Sequence, residues 1–123
     1  MSNAVAHELV QKSLVGEALE HGPMAIFVAD ETGRYLAVNA YACDLLGYTR
    51  EELLDLRVTD IAVDREAREN FDEMQRVGRG EGMTVLRHQD GRELPMHYRA
   101  SGTTVSGMPL FIGLCWPADD DQS

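Results

Sequence analysis

Asp90-Gly91 stands between two runs, Met83–Gln89 and Glu93–Ser101, and the second alternates Leu94, Met96, Tyr98 and Ala100 with mostly polar residues. An Asp-Gly pair flanked by such runs is the strongest short-range signal for a β-hairpin, because the turn needs residues that tolerate positive φ. The chain therefore has an antiparallel pair near its C-terminal end. A third strand-like run, Leu110–Trp116, follows after a connection through Gly102 to Pro109. Upstream, Ala25–Ala29 and Tyr35–Val38 are short and β-prone. The turn Asp30-Glu31-Thr32-Gly33 joins them, which predicts a second antiparallel hairpin.

Between the two sets of strands the signals are helical. Asn39 is placed to cap a helix that holds Leu45 and Leu46 and ends at Gly47. Thr49-Arg50-Glu51-Glu52 reads as a capping box opening a short helix with Leu53 and Leu54. Asp64 is expected to open a longer helix with Phe71, Met74 and Val77 inward, and the alternating Gly78, Gly80 and Gly82 read as a loop or hinge. Before the strands, Ala4 to His21 reads as a helix. Val10, Leu14 and Ala18 share one face, Val15 and Leu19 widen it, and Gly22-Pro23 stops it. Helices inserted between strands of an antiparallel sheet give an α+β fold with the helices over one face. The N-terminal helix is left to cover the other face or to meet a copy of itself. The organisation expected is a flanking helix over 1–21, one domain over 22–117 and a disordered acidic tail over 118–123.

Charge and cysteine usage narrow the classes of function. With 21 acidic and 11 basic residues the formal net charge is −10, which repels nucleic-acid backbones and anionic lipid heads, so no nucleic acid and no membrane is expected as a partner. No apolar run approaches the ~20 residues of a membrane span, and the N-terminus lacks the basic and apolar regions of a signal peptide. Cys43 and Cys115 lie far apart in apolar runs and match no zinc or redox spacing, which suits small buried side chains in a reducing cytoplasm.

Several short stretches, in order, carry a family resemblance. Ala25-Ile26-Phe27-Val28-Ala29-Asp30, Gly33-Arg34 and Val38-Asn39-Ala40 resemble the start of a PAS domain. Leu46-Gly47-Tyr48-Thr49, Glu52-Leu53-Leu54 and Asp60-Ile61 resemble its central helical signature, and Asp90-Gly91-Arg92 before Leu94-Pro95-Met96 resembles the hairpin of its third and fourth strands. The match covers about Gly22 to Trp116. It implies a five-stranded antiparallel sheet with short helices on one face, a gap between sheet and helices that holds cofactors or metabolites, and dimers formed through the preceding helix. Two departures stand out. Asp55 occupies a place where the family often has Gly, and Trp116-Pro117-Ala118-Asp119 replaces the Asp-Ile-Thr type of sequence that launches an output helix in sensors.

The best-known PAS cofactors need particular side chains. Haem needs an axial ligand, usually His. By the resemblance the ligand position of the oxygen-sensing subgroup falls on Arg68 and its gas-holding Arg position falls near Gly82, although Pro95-Met96-His97 is similar to that subgroup. A covalent flavin photoadduct needs a Cys in the segment Leu56–Asp60, which has none, and Cys43 lies one helix too early. Haem and a flavin adduct are therefore not expected. His88 and His97 flank the Asp90-Gly91 turn with too few converging ligands for a metal, and His21 suits the end of its helix. Glu51/Glu52 and Glu66/Glu69 read as caps and solvated surface. No nucleophile–base arrangement appears. A cone-shaped isomerase would need Asp44 or Asp60 beside Tyr98 in one pocket, and the strand order argues against it. The chain is not expected to be an enzyme.

The resemblance places Met96, Tyr98 and Ala100 of the fourth strand, and Phe111, Gly113 and Cys115 of the fifth, on the cavity side. Ile26 and Val28 are expected to join them, with Leu45, Leu46, Ile61 and Phe71 closing the pocket from the helices. Gly113 inside a strand marks close approach, either of a ligand or of the Tyr98 or Phe71 ring. The ligand expected is small and mostly apolar, with Tyr98 as its hydrogen-bond partner. The function implied is a sensory or regulatory domain that binds such a ligand, forms a homodimer through its N-terminal helix, or both, and signals to a partner protein or fused effector. The alternative is a ligand-free interaction module with a filled core.

Overall fold

The computed structural model describes residues 2–118. Helix α1 (Ser2–Glu20) leads into strands β1 (Ala25–Ala29) and β2 (Tyr35–Val38). Four helices follow: α2 (Ala40–Leu46), α3 (Arg50–Leu53), α4 (Val58–Ile61) and α5 (Ala67–Val77). Strands β3 (Arg79–Arg87), β4 (Glu93–Val105) and β5 (Met108–Pro117) complete a five-stranded antiparallel sheet in the order β2-β1-β5-β4-β3. The expected α+β class and strand number are those observed. The expected acidic tail falls, after Ala118, outside the described residues.

Local chemistry explains the helix boundaries. Asn39 caps α2 through its Oδ1, which accepts from the Ala42 amide at 3.1 Å. Gly47 closes that helix at φ +80°, a left-handed conformation that favours Gly. The Thr49/Glu52 capping box is present in both directions, at 3.1 and 2.9 Å. The turn α4 has no obvious opening signal in the sequence. It forms because the Asp60 carboxylate accepts from the Arg57 amide at 2.9 Å.

Several strand and helix boundaries differ from the sequence reading. Gly80 and Gly82 are inside β3 rather than in a loop, and Gly78, at φ +93°, is the left-handed stop of α5. Asp64 does not open α5. Its carboxylate accepts instead from the Thr84 hydroxyl at 2.6 Å and the Val85 amide at 3.2 Å, pinning the preceding loop to β3. The connection expected over Gly102–Pro109 is mostly paired strand. The turn itself is Ser106-Gly107, both at positive φ, with Val105 opposite Met108. Pro117 ends β5 in register with Met96.

The core lies between the sheet and α2–α5. Leu46, Leu53, Ile61 and Met96 are its largest fully buried side chains. Helix α1 behaves differently. Leu9, Val10, Leu14, Val15 and Leu19 are each at least half exposed, so α1 covers neither face of its own sheet. Its last turn is tied to the domain by the Leu19 carbonyl, which accepts from Asn39 Nδ2 at 2.8 Å, and by an ion pair from Glu20 to Arg50 at 2.6 Å.

Asn39 is the single buried polar residue among those described. Asn39→Ala removes the α2 cap and leaves partners in β1 and the α1–β1 connector unmatched. The substitution is expected to lower unfolding free energy by about 3 kcal/mol, read as a reduced urea midpoint at unchanged slope.

Candidate functional site

A cavity of about 110 Å³ lies between the sheet and α5. Its sheet side is built by Phe27, Ala29, Tyr98, Ala100, Phe111, Gly113 and Cys115, and its helical side by Val58, Ala62, Ala67, Asn70, Phe71 and Met74. Tyr35, Thr84 and Leu86 complete the wall. Among the described residues no Lys, Arg or His side chain lines it.

Of the residues singled out in the sequence, Phe71, Tyr98, Ala100, Phe111, Gly113 and Cys115 line this cavity. Leu46, Ile61 and Met96 are buried in the adjoining core but do not reach it. Ile26 and Val28 need a correction: they lie on the opposite face of the sheet. Phe27 is directly opposite Gly113 and Ala25 opposite Cys115, and facing residues in an antiparallel pair share a side. Ile26 and Val28 therefore lie with Leu114 and Ile112 on the other face, and of these four only Ile112 borders the cavity. The stretch Ala25–Ala29 is apolar at every position, so its pattern carries no information about which face turns inward.

The helical wall also shifts by one step. The inner stripe of α5 is Ala67, Asn70, Phe71 and Met74, at i, i+3, i+4 and i+7, whereas Val77 is half exposed. That spacing was available in the sequence. What concealed it was Asn70, a polar residue on the apolar face. Tyr35 and Phe27 were also missed. Their rings pack 5.3 Å apart, and Tyr35 turns inward because the β1–β2 pairing shifts register between Val28 and Ala29.

Three aromatic rings of the wall rest on glycines. The Tyr98 ring lies over Gly80 and Gly82, where an added Cβ would sit 3.6–3.9 Å from it. The Phe111 ring lies over Gly102, where a Cβ would sit only 3.1 Å away, and the Phe71 ring lies against Gly33 at 3.4 Å. Phe71 and Phe111 meet edge to face at 5.9 Å. Gly113 is the exception, because a Cβ there would meet nothing within 4 Å. Neither the Tyr98 nor the Phe71 ring covers Gly113; it faces open cavity.

The few polar groups at the cavity are held neutral. Burial pushes the Cys115 thiol up to about 12. Burial raises the Tyr98 hydroxyl too, helped by the nearby negative charge of Asp64 and by Cys115. Tyr35 is raised by burial in the same way. Arg68 is exposed on α5 and Cys43 sits on α2; neither lines the cavity. Asp44 and Asp60 are exposed, and Asp60 is engaged in capping α4, so neither forms a pair with Tyr98 in the pocket. A haem or flavin does not fit here. The volume is well below the ~300 Å³ at which pockets for larger ligands begin, and no imidazole lines it. His88 and His97 are separated: His88 lies against Gly47 and His97 stacks on Trp116 at 5.6 Å.

Thiol chemistry reports directly on this environment. At pH 8 Cys115 is expected to alkylate about a thousandfold more slowly than an ordinary exposed thiol, because so little of it is thiolate. Site-resolved mass spectrometry of iodoacetamide-treated native protein checks this, and the difference should vanish in urea.

The fold has clear counterparts. Solved structures similar to this chain include a PAS domain from a two-component sensor histidine kinase, with 20% identity and TM-score 0.81, covering 90% of this chain and 99% of that one. The PAS domain of an HTR-like protein from Haloarcula marismortui has 17% identity and TM-score 0.81, covering 96% and 100%. A domain of a sensory box sensor histidine kinase/response regulator from Geobacter sulfurreducens has 25% identity and TM-score 0.72, covering 85% and 92%. No match is found among curated proteins. The family model described as PAS domain matches residues 23–115, the span that contains β1–β4, α2–α5, most of β5 and every residue of the cavity, and the chain accordingly belongs to the PAS domain family, whose members are typical of sensory signalling proteins.

Proposed function

We propose that this chain is a sensory or regulatory PAS domain that binds a small, mostly apolar ligand in the cavity between its sheet and α5, and that it self-associates through α1. In this reading it is not an enzyme, it works in the cytoplasm, and it reports to a signalling partner or fused effector. The observation that carries the ligand part is the open space above Gly113, within a wall of aromatic and aliphatic side chains. Filling such a volume with matching groups is worth about 2–3 kcal/mol at roughly 24 cal/mol per Å³. The same space argues against the alternative of an interaction module with a filled core.

Self-association is supported by α1. Leu9, Val10, Leu14, Val15 and Leu19 are exposed along it, with Val10, Leu14 and Ala18 on one face and Val15 and Leu19 beside them. An isolated helix in water gains little from such residues, so they fit a helix that meets a second copy. Signal would leave through α1, because Asn39 joins its last turn to β1 and α2.

Gly113→Leu fills the cavity from the sheet side without straining the backbone. Native mass spectrometry of the freshly purified protein is expected to show a reproducible small adduct on the wild type and none on Gly113→Leu. An adduct of equal mass and amount on both would sink the cavity as the ligand site. The second expectation concerns assembly. The wild type should sediment as a dimer at tens of micromolar, and Leu14→Glu should weaken the dimer by at least about tenfold, the cost of placing one charge in an apolar seam. A wild type that sediments as a monomer at high concentration ends the dimer reading.

A further inference from the structure

The proposed ligand site carries more chemical detail than "small and apolar". Tyr35 is only 4% exposed and lines the cavity, yet its hydroxyl makes no hydrogen bond among the described residues. No fully enclosed side-chain polar atom among those residues is left without a partner, so the Tyr35 hydroxyl is not sealed in protein; Tyr35 lines the cavity, and its hydroxyl feels Cys115, another residue of the wall. A buried phenol left without a partner costs about 1–3 kcal/mol, and a hydrogen bond from a bound molecule removes that cost.

Shape and charge restrict what that molecule is. A cavity of about 110 Å³ is smaller than the ~150 Å³ apolar cavity known to hold benzene, so a single ring is the upper limit. Its aromatic wall is Phe27, Tyr35, Phe71, Tyr98 and Phe111, which offers edges and faces to a flat ring from several directions. Among the described residues no cationic side chain lines the site, and the two nearby carboxylates are already engaged, Asp64 by Thr84 and Val85 and Asp60, on the Tyr35 side, by the Arg57 amide. A carboxylate would enter with its desolvation uncompensated, and an ammonium would find no free counter-charge.

Resting on the ligand-binding reading above, we infer that the cavity selects a neutral one-ring aromatic molecule bearing a single hydroxyl or carbonyl, with the ring against Gly113 and the polar atom on the Tyr35 hydroxyl. Tyr35 is then the specificity-determining residue, in place of Tyr98. The Tyr98 ring is laid over Gly80 and Gly82 at the β3 side of the sheet and is far less buried.

The test uses phenol, toluene and benzoate as probes, titrated at neutral pH into the wild type, Tyr35→Phe and Gly113→Leu, with amide chemical shifts and calorimetry as readouts. Phenol and toluene should bind the wild type, and benzoate should not. Tyr35→Phe should weaken phenol about three- to tenfold, the worth of one hydrogen bond, and leave toluene within about twofold. Gly113→Leu should lose both. Benzoate binding as tightly as phenol overturns the inference, and that comparison needs no variant. Equal effects of Tyr35→Phe on phenol and toluene also overturn it, while loss of both on Gly113→Leu would leave the cavity itself standing as a ligand site. If none of the three probes binds the wild type, the inference falls. If, in addition, the native protein carries no adduct that Gly113→Leu removes, the ligand-binding reading falls with it.

Discussion

Asn39 holds the structure at the point where four segments meet. Its Nδ2 donates to the Leu19 and Met24 carbonyls at 2.8 and 2.9 Å, and its Oδ1 accepts from the Ile26 and Ala42 amides at 3.0 and 3.1 Å. Every hydrogen-bonding site of the side chain is used. The last turn of α1, the connector, β1 and the start of α2 are fixed relative to one another by one amide. Asp at this position would turn a carboxylate toward two carbonyls. A Leu would strand two donors and two acceptors in the interior. The Asn39 amide also donates to the Ile26 carbonyl at 3.1 Å, so β1 is gripped from both sides of that residue. With β1 placed, Phe27 falls opposite Gly113, and the floor of the cavity follows from that pairing.

The cavity itself is a consequence of where glycine occurs. Aromatic side chains large enough to close a gap of this size are present on β4, β5 and α5, but three of them lean on Gly80 and Gly82, Gly102 and Gly33. Each glycine lets a ring lie against backbone at the margin instead of projecting into the centre. Gly113 is the one glycine of the central strands with no ring above it. A core that merely needed to be filled could do so with one larger side chain at that position. Leaving a strand-interior glycine uncovered gives up strand propensity and packing together, which is a cost without return unless something else occupies the space.

How much of this was visible in the sequence depended on whether the signal was local. The α2 cap, the Thr49/Glu52 box and both strand-joining turns near Gly33 and Gly91 are set by a few adjacent residues, and they were legible. The β3 glycines were not, because their role is to accommodate a ring from the neighbouring strand. The face of β1 was not legible either: an all-apolar strand has two equivalent sides until a partner's register chooses one. The β4 and β5 part of the cavity wall follows from strand alternation, with Tyr98, Ala100, Phe111, Gly113 and Cys115 on the expected side. The rest depends on tertiary placement. Asn70 is polar on an inward stripe, and Tyr35 is turned in by a register shift, so neither announces itself in one dimension.

The same contrast bears on how such a domain transmits a state. A ligand shifts a conformation only by favouring one arrangement over another, and the segment that moves is the one whose position costs least to change. The sheet and α2–α5 share a continuous core with fully buried Leu46, Leu53, Ile61 and Met96. Among the described residues, polar contacts that tie helix α1 to the domain are one hydrogen bond to Asn39 and the Glu20–Arg50 ion pair, which is part-exposed and worth about 0–1 kcal/mol. Reorienting α1 about Asn39 therefore costs far less than disturbing any other element. Asn39 touches both sides of that boundary: the same side-chain oxygen that holds β1 caps α2, and the same nitrogen that holds the connector holds α1. On the function proposed above, a change in β1 beside the cavity would reach the helix through the Asn39 side-chain amide.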